Sequence, residues 1–155
     1  MEEEGVGYVA VETGVDSRTC TTLLRDDAVG YPTEIVEECE NPSDAEYAAL
    51  EAVLAELLAD PRAKILVLVG SPPPAADPSA YARYVALAGK HGVRTLVDAQ
   101  KRPLNECLSA RPWLVKLNTL ELESTTGIPL GPAPTEAAVV GAGRALLAAG
   151  AGNVV

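Results

Sequence analysis

Phenylalanine is absent from this chain of 155 residues, and tryptophan, methionine and histidine occur once each. A core can then draw on few large aromatic rings. Alanine and valine carry much of the 48% apolar share, a set of small side chains that suits helices packed closely on a sheet. The single histidine, His91, excludes a multi-histidine metal site. It stands between Lys90 and Gly92 at an expected helix end, where the helix dipole is its natural partner. Cys20, Cys39 and Cys107 show no metal-ligand spacing and are odd in number. With neither a signal peptide nor an apolar run long enough to span a bilayer, they read as reduced thiols of a cytoplasmic protein, and no membrane partner is expected. Positive charge is also scarce. Twelve Lys and Arg against 22 Asp and Glu leave a net charge of −10, which argues against a general nucleic-acid surface. The acidic clusters Glu2–Glu4 and Glu34–Glu40 read as solvated edges.

What is present alternates. Val6–Ala10, Thr19–Leu24 and Thr33–Glu37 predict short strands of an antiparallel meander, separated by turns at Gly14–Asp16 and Arg25–Gly30. Pro42-Ser43-Asp44 is a helix entry, and Leu50, Val53, Leu54, Leu57 and Leu58 fall on one face of a helix over Ala45–Leu58. Lys64–Val69 is aliphatic throughout, the pattern of a parallel strand covered on both sides. It stops at Gly70-Ser71-Pro72-Pro73-Pro74. Asp77 should cap a helix with Pro78 in its first position and Tyr81, Tyr84, Val85 and Ala88 facing inward, closed by Gly92. A strand over Val93–Val97, a helix over Pro103–Ala110, a strand over Trp113–Lys116, helices over Asn118–Thr126 and Thr135–Ala149, and a strand starting at Asn153 follow. From Ala45 onward the order predicts an α/β fold, a parallel sheet with helices on both faces. Ligands of such sheets collect at the carboxyl ends of the strands, here Gly70-Ser71, Asp98 and Lys116 to Asn118.

The most informative stretch runs from Leu114 to Gly127. Asn118 followed three residues later by Glu121 spells a capping box. A strand end, a helix start and Lys116 together also suit the phosphates of a polyanion, with Glu121 able to hold the water shell of a magnesium ion. The two readings are compatible, and both stay open on these residues alone.

Five motifs in order, Ser17-Arg18-Thr19-Cys20-Thr21-Thr22-Leu23-Leu24, Thr33-Glu34-Ile35-Val36-Glu37, Gly70-Ser71-Pro72-Pro73-Pro74, Val97-Asp98-Ala99-Gln100 and Leu114-Val115-Lys116-Leu117-Asn118 through Gly127, resemble the PfkB carbohydrate kinases of the ribokinase-like superfamily. The likeness is to the sugar-phosphate branch, the 1-phosphofructokinases and tagatose-6-phosphate kinases. It implies a ribokinase-like parallel sheet with a small N-terminal antiparallel lid: one partial domain over 1–155, with a lid-like segment over 1–40 and an α/β core over 41–155. It implies ATP and Mg²⁺ as cofactors and a sugar phosphate as substrate. Arg18 resembles the arginine that holds the substrate phosphate; without the resemblance it is as well read as a solvated strand arginine. Gly70 and Ser71 resemble the turn lining the sugar path, or simply end a strand. Asp98 matches a strand-end aspartate beside the cleft, with turn or capping duty equally open. Lys116, Asn118 and Glu121 resemble the lysine and Asn-x-x-Glu motif that meet ATP phosphates and hydrated magnesium, Glu121 being the metal-facing residue.

Departures from the family pattern are specific. Its turn reads Gly-Ser-Leu-Pro-Pro-Gly, whereas Pro72 and Ala75 stand here for the leucine and the closing glycine. Lys101 replaces the glycine after the strand-end aspartate. The resemblance covers the middle of the family domain, and the Gly-Ala-Gly-Asp segment that carries the catalytic base has no counterpart. Gly141-Ala142-Gly143-Arg144 is a near-copy, but it ends in arginine inside an expected helix. The expectation is therefore a truncated sugar-phosphate kinase, inactive alone and exposing a sheet edge that invites self-association. The alternative is a non-catalytic nucleotide-binding or interaction fragment, or half of a split kinase awaiting a complementing chain.

Overall fold

Thr, Val and Ile residues form two short strands near the N-terminus, Cys20–Leu23 (β1) and Thr33–Val36 (β2). They pair antiparallel, with Cys20 opposite Val36 and Leu23 opposite Thr33. The ladder runs one step further, because the Glu37 amide donates to the Thr19 carbonyl at 3.1 Å. The computed structural model describes residues 5–24 and 33–155. It divides into two compact units, Met1–Leu50 with Pro73–Ala76, and Glu51–Pro72 with Asp77–Val155. The expected turn at Arg25–Gly30 and the cluster Glu2–Glu4 lie outside the described residues. The expected strand at Val6–Ala10 does not form: that segment pairs with no strand and its Val6, Tyr8 and Val9 are exposed. The antiparallel element among the described residues therefore has two strands rather than a meander of three.

Helix α1 (Asp44–Leu58) starts in the first unit and ends in the second. Its start is fixed by Ser43 and Glu46: the Ser43 amide and hydroxyl both donate to Glu46 Oε2 at 2.6 Å, and the Glu46 amide returns a bond to Ser43 Oγ. These bonds hold the Glu46 carboxyl below its usual pKa, the Ser43 hydroxyl contributing most. Of its expected apolar stripe, Leu58 is buried and Leu54 packs on the core, while Leu50 and Leu57 stay exposed.

The second unit is built on three parallel strands, β3 (Ile65–Val69), β4 (Arg94–Asp98) and β5 (Leu114–Val115), in the order β3-β4-β5. Val69 lies opposite Asp98 and Val97 opposite Val115, so the carboxyl ends are level. Val154 adds a parallel bridge to Val115 at the far side, where the strand beginning at Asn153 was expected. Around the sheet stand α2 (Ala80–Lys90), α3 (Lys101–Leu108), α4 (Thr119–Thr126) and α5 (Glu136–Ala149). Leu68, Val97 and Val115 of the sheet form one core with Tyr84 and Val85 of α2, Leu104 and Cys107 of α3, Leu122 of α4 and Leu146 of α5. Each such burial is worth roughly 1.5–3 kcal/mol. The fold is α/β, a parallel sheet flanked by helices.

Two expectations change at this level. Strand β3, aliphatic along its whole length, is covered on one side only: Leu68 is buried, but Ile65, Val67 and Val69 are 52%, 52% and 63% exposed. Continuous hydrophobicity says that two faces can be buried, not that both are. Helix α2 begins at Ala80, not at Pro78. Asp77 does not cap it; its carboxylate accepts the Ser79 amide at 2.9 Å and the Ser79 hydroxyl, and also takes Arg83. A turn closed by the Ala80 amide on the Asp77 carbonyl occupies the place of a first helical turn.

Candidate functional site

The carboxyl rim of the parallel sheet gathers most of the residues singled out from the sequence. Strand β3 ends at Gly70, whose φ of +101° is left-handed and open to glycine. The Gly70 amide donates to the Asp98 carbonyl at 3.3 Å, tying the ends of β3 and β4 together. The Tyr81 hydroxyl reaches the same place from α2 and donates towards the carbonyls of Gly70 at 3.1 Å and Val69 at 3.3 Å. Burial pushes the Tyr81 phenol above its usual pKa, with smaller effects from Cys107 and Asp98. Nothing in its helical spacing separates this tyrosine from a packing residue, so sequence reasoning assigns it to the core.

Beyond Asp98 the chain enters α3 at Lys101, which holds a left-handed φ of +56°. This is the position where the family pattern has glycine, and the backbone geometry explains why. The Lys101 amide donates to the buried Thr125 hydroxyl at 2.8 Å, and Asn105 Nδ2 bonds the Thr125 carbonyl. The start of α3 is thereby fastened to the end of α4. A positive φ at a lysine leaves no mark in a single sequence.

Lys116 follows β5, its amide on the Val97 carbonyl at 3.0 Å. Its Nζ lies 3.0 Å from Asp98 Oδ2. The bond to Asp98 and that residue's charge raise the Lys116 pKa, with a further rise from the charge of Glu121. Two residues on, Asn118 caps α4. Its Oδ1 accepts the Glu121 amide at 2.9 Å, and Glu121 Oε2 accepts the Asn118 amide at 2.8 Å, a complete capping box. The capping reading therefore holds, and it leaves the other first-turn donors for an anion. Asp98, Lys116, Asn118 and Glu121 thus form one corner with Gly70 on the adjoining strand end. Among the described residues no three His, Cys, Asp or Glu side chains come together as a metal cage. Two carboxylates beside a lysine suit instead a hydrated magnesium shared with phosphates, the usual manner of that ion.

Ser71 lies beside Gly70 on this unit. Arg18 belongs to the first unit, half-buried and two residues ahead of β1 rather than within it. Gly141 to Arg144 lie inside α5, as expected of a near-copy without the catalytic turn. The packing there rests on Ala142, 1% exposed, and not on its glycine neighbours. Behind Asn118 a cavity of about 320 Å³ opens between α4 and α5, lined mainly by aliphatic residues including Leu122, Val139 and Leu147. No described helix is long and apolar enough to cross a membrane.

The parallel rim thus carries a lysine and a capped helix start at its third strand. Phosphofructokinase-2 from Escherichia coli, in its tetrameric inhibited form, superposes with a TM-score of 0.78 at 25% identity, over 99% of this chain and 49% of that one. The same enzyme in complex with fructose-6-phosphate superposes at 0.77. In sequence the chain is 36% identical to 1-phosphofructokinase of Rhodobacter capsulatus over 117 residues, 72% of this chain and 37% of that protein. It is 33% identical to that of Haemophilus influenzae over 91 residues, 59% of this chain and 28% of that protein. No family model matches. Over the stretch it spans, the chain belongs to the PfkB family of carbohydrate kinases. It covers less than half the length of these relatives.

Proposed function

We propose that these residues carry the phosphate-facing part of an ATP-dependent sugar-phosphate kinase, with residues 1–40 as a lid-like segment and 41–155 as the α/β core. The observation that carries this reading is the corner of Lys116, Asn118, Glu121 and Asp98 on the strand rim. Lys116, kept cationic by its two carboxylate neighbours, would meet the ATP phosphates together with the free donors of the first turn of α4. Asp98 and Glu121 would hold the water shell of a magnesium ion, which supplies neutralisation of phosphate charge when bound. Arg18, on its own unit, would hold the phosphate of a sugar phosphate, and Gly70 and Ser71 would line the sugar path. Relatives named for fructose phosphates make a hexose phosphate the substrate class to test.

The 155 residues contain no Gly-Ala-Gly-Asp, hence no carboxylate of that motif to take the acceptor proton. General-base help is worth about 10²–10⁴ in rate, and one anion-hole donor roughly 10²–10³. We therefore expect the chain alone to show no turnover and to bind ATP with magnesium weakly. A coupled kinase assay with fructose 1-phosphate, fructose 6-phosphate and tagatose 6-phosphate tests the first expectation; clear turnover by the pure chain overturns it. Titration of ATP with magnesium against the parent, Lys116→Ala and Glu121→Ala tests the second, and equal affinity in all three leaves only the capping box. A second reading is favoured by the 49% coverage of the Escherichia coli enzyme: the chain works joined to a complementing polypeptide. Activity that appears only on adding such a polypeptide distinguishes it.

A further inference from the structure

Behind Asn118, the cavity between α4 and α5 has walls that the core leaves uncovered. Its volume of about 320 Å³ stands at the lower end of the range for small-molecule pockets, roughly 300–1,000 Å³. Leu117, Leu122, Val139, Val140, Leu147 and Val154 make the walls aliphatic. Val140 and Leu147 are 45% and 43% exposed, so these walls meet solvent. Water there finds few polar partners, and an apolar group that displaces it is favoured.

Two further wall residues set what can enter. Arg144 is exposed and, among the described residues, makes no ion pair. No carboxylate lines the cavity, so the guanidinium is its one formal charge. Gly143 stands inside α5, where glycine weakens a helix relative to alanine. Packing does not demand it: a Cβ there would meet only a Val154 methyl, at the ordinary contact distance of 3.7 Å. The missing side chain leaves the wall recessed instead. Gly143 and Arg144, the second half of the Gly-Ala-Gly-Arg near-copy, thus supply room and charge at one place.

We infer that this cavity is a binding site for a small free anion with an apolar body, of the class of a medium-chain carboxylate. The aliphatic walls take the tail, and Arg144 takes the head group in a charge-assisted, two-pronged hydrogen bond. The site needs neither ATP nor magnesium, and so stands apart from the nucleotide reading.

The test is titration of the full chain with sodium octanoate, hexanoate and uncharged octanol, by calorimetry. Octanoate should bind saturably and about tenfold more tightly than hexanoate, through its two extra methylenes. Arg144→Gln should weaken octanoate about two- to fivefold and leave octanol unchanged. Gly143→Leu should fill the recess and abolish binding of both, with no loss in melting temperature. Equal octanoate binding by the parent and Arg144→Gln overturns the anion, and unchanged binding in Gly143→Leu overturns the site. Absence of saturable binding overturns the inference and leaves the cavity to a side chain of a complementing polypeptide. If Gly143→Leu fails to fold, the parent decides by NMR. Octanoate should show contacts to the methyls of Val139 and Val154; contacts to the exposed Ile65 and Val67 of β3 in their place overturn the inference.

Discussion

The Thr125 hydroxyl accepts the backbone amide of Lys101 at 2.8 Å, 24 residues away, and so holds a lysine in a left-handed conformation. Thr125→Val keeps the shape but strands that amide, which should cost about 1–3 kcal/mol. Lys101→Gly relieves a backbone strain of order 1 kcal/mol but adds freedom to the unfolded chain. It should leave stability within about 1 kcal/mol of the parent, whereas Lys101→Val should lower it. Urea unfolding of the three variants checks the ordering; a stable Thr125→Val would show that the amide has another partner.

The capping box separates structure from ligand binding. Asn118→Ala should lose about 1 kcal/mol by removing the cap of α4. Glu121→Gln can still accept the Asn118 amide, so its stability should match the parent. Its affinity for ATP with magnesium should nevertheless fall, since the charge is gone. Thermal melts paired with the same titration decide the matter.

Glycines in this chain divide by what a side chain would meet. A Cβ on Gly150 would lie 2.2 Å from the Leu108 carbonyl oxygen, at a φ of +132°. Gly150→Ala should therefore destabilise by more than about 2 kcal/mol or fail to fold. Gly141 has nothing within 4 Å, and at Gly143 the nearest atom is a methyl of Val154 at 3.7 Å. Both lie inside α5, so Gly141→Ala and Gly143→Ala should each raise stability, by up to about 1 kcal/mol. Chemical denaturation of the single variants reads the contrast directly.

Stability should also fall in acid for a reason fixed at α2. The amide and hydroxyl of Ser79, with Arg83, hold the Asp77 carboxyl down at about 2, against an ordinary value of 3.8. A carboxyl lowered by folding stabilises above its unfolded pKa and loses that contribution as pH drops through its folded value. The loss should develop between pH about 4 and about 2, and Asp77→Asn should flatten that part of the curve. An unchanged profile in that variant would remove Asp77 as its source.

Thiol chemistry should follow burial. Burial pushes the Cys107 thiol up to about 12, so it should resist alkylation until the chain unfolds, whereas exposed Cys20 should react at once. Mass spectrometry after a timed iodoacetamide pulse reports the order.

The second unit was readable because its elements are long, periodic and well punctuated. The spacing of Tyr84, Val85 and Ala88 locates the buried face of α2, and Asn118 with Glu121 fixes the start of α4 to the residue. The corner at Lys116 was legible because strand, cap and cation are contiguous in the chain. Its electrostatic state was not: the Asp98–Lys116 bond joins residues 18 apart through a parallel register that a single sequence does not reveal. The misreadings have the same origin. Val6–Ala10 has strand composition but no neighbour to pair with among the described residues, and pairing is a property of two segments. Pro78 is well suited to a first helical turn, yet Asp77 bonds Ser79 and Arg83 instead, side-chain contacts that propensity does not contain.

Strand β3 is covered on one side only. A saturation library across Ile65 to Val69 would therefore read out with a period of two. Leu66 and Leu68 should reject polar replacements, whereas Ile65, Val67 and Val69 should accept threonine or lysine, with higher soluble yield as the visible gain. Any polypeptide that completes this sheet in a larger assembly would reverse the pattern at the odd positions. Performed with and without a candidate complementing chain, the library would thus map the face that such an assembly hides without its being crystallised.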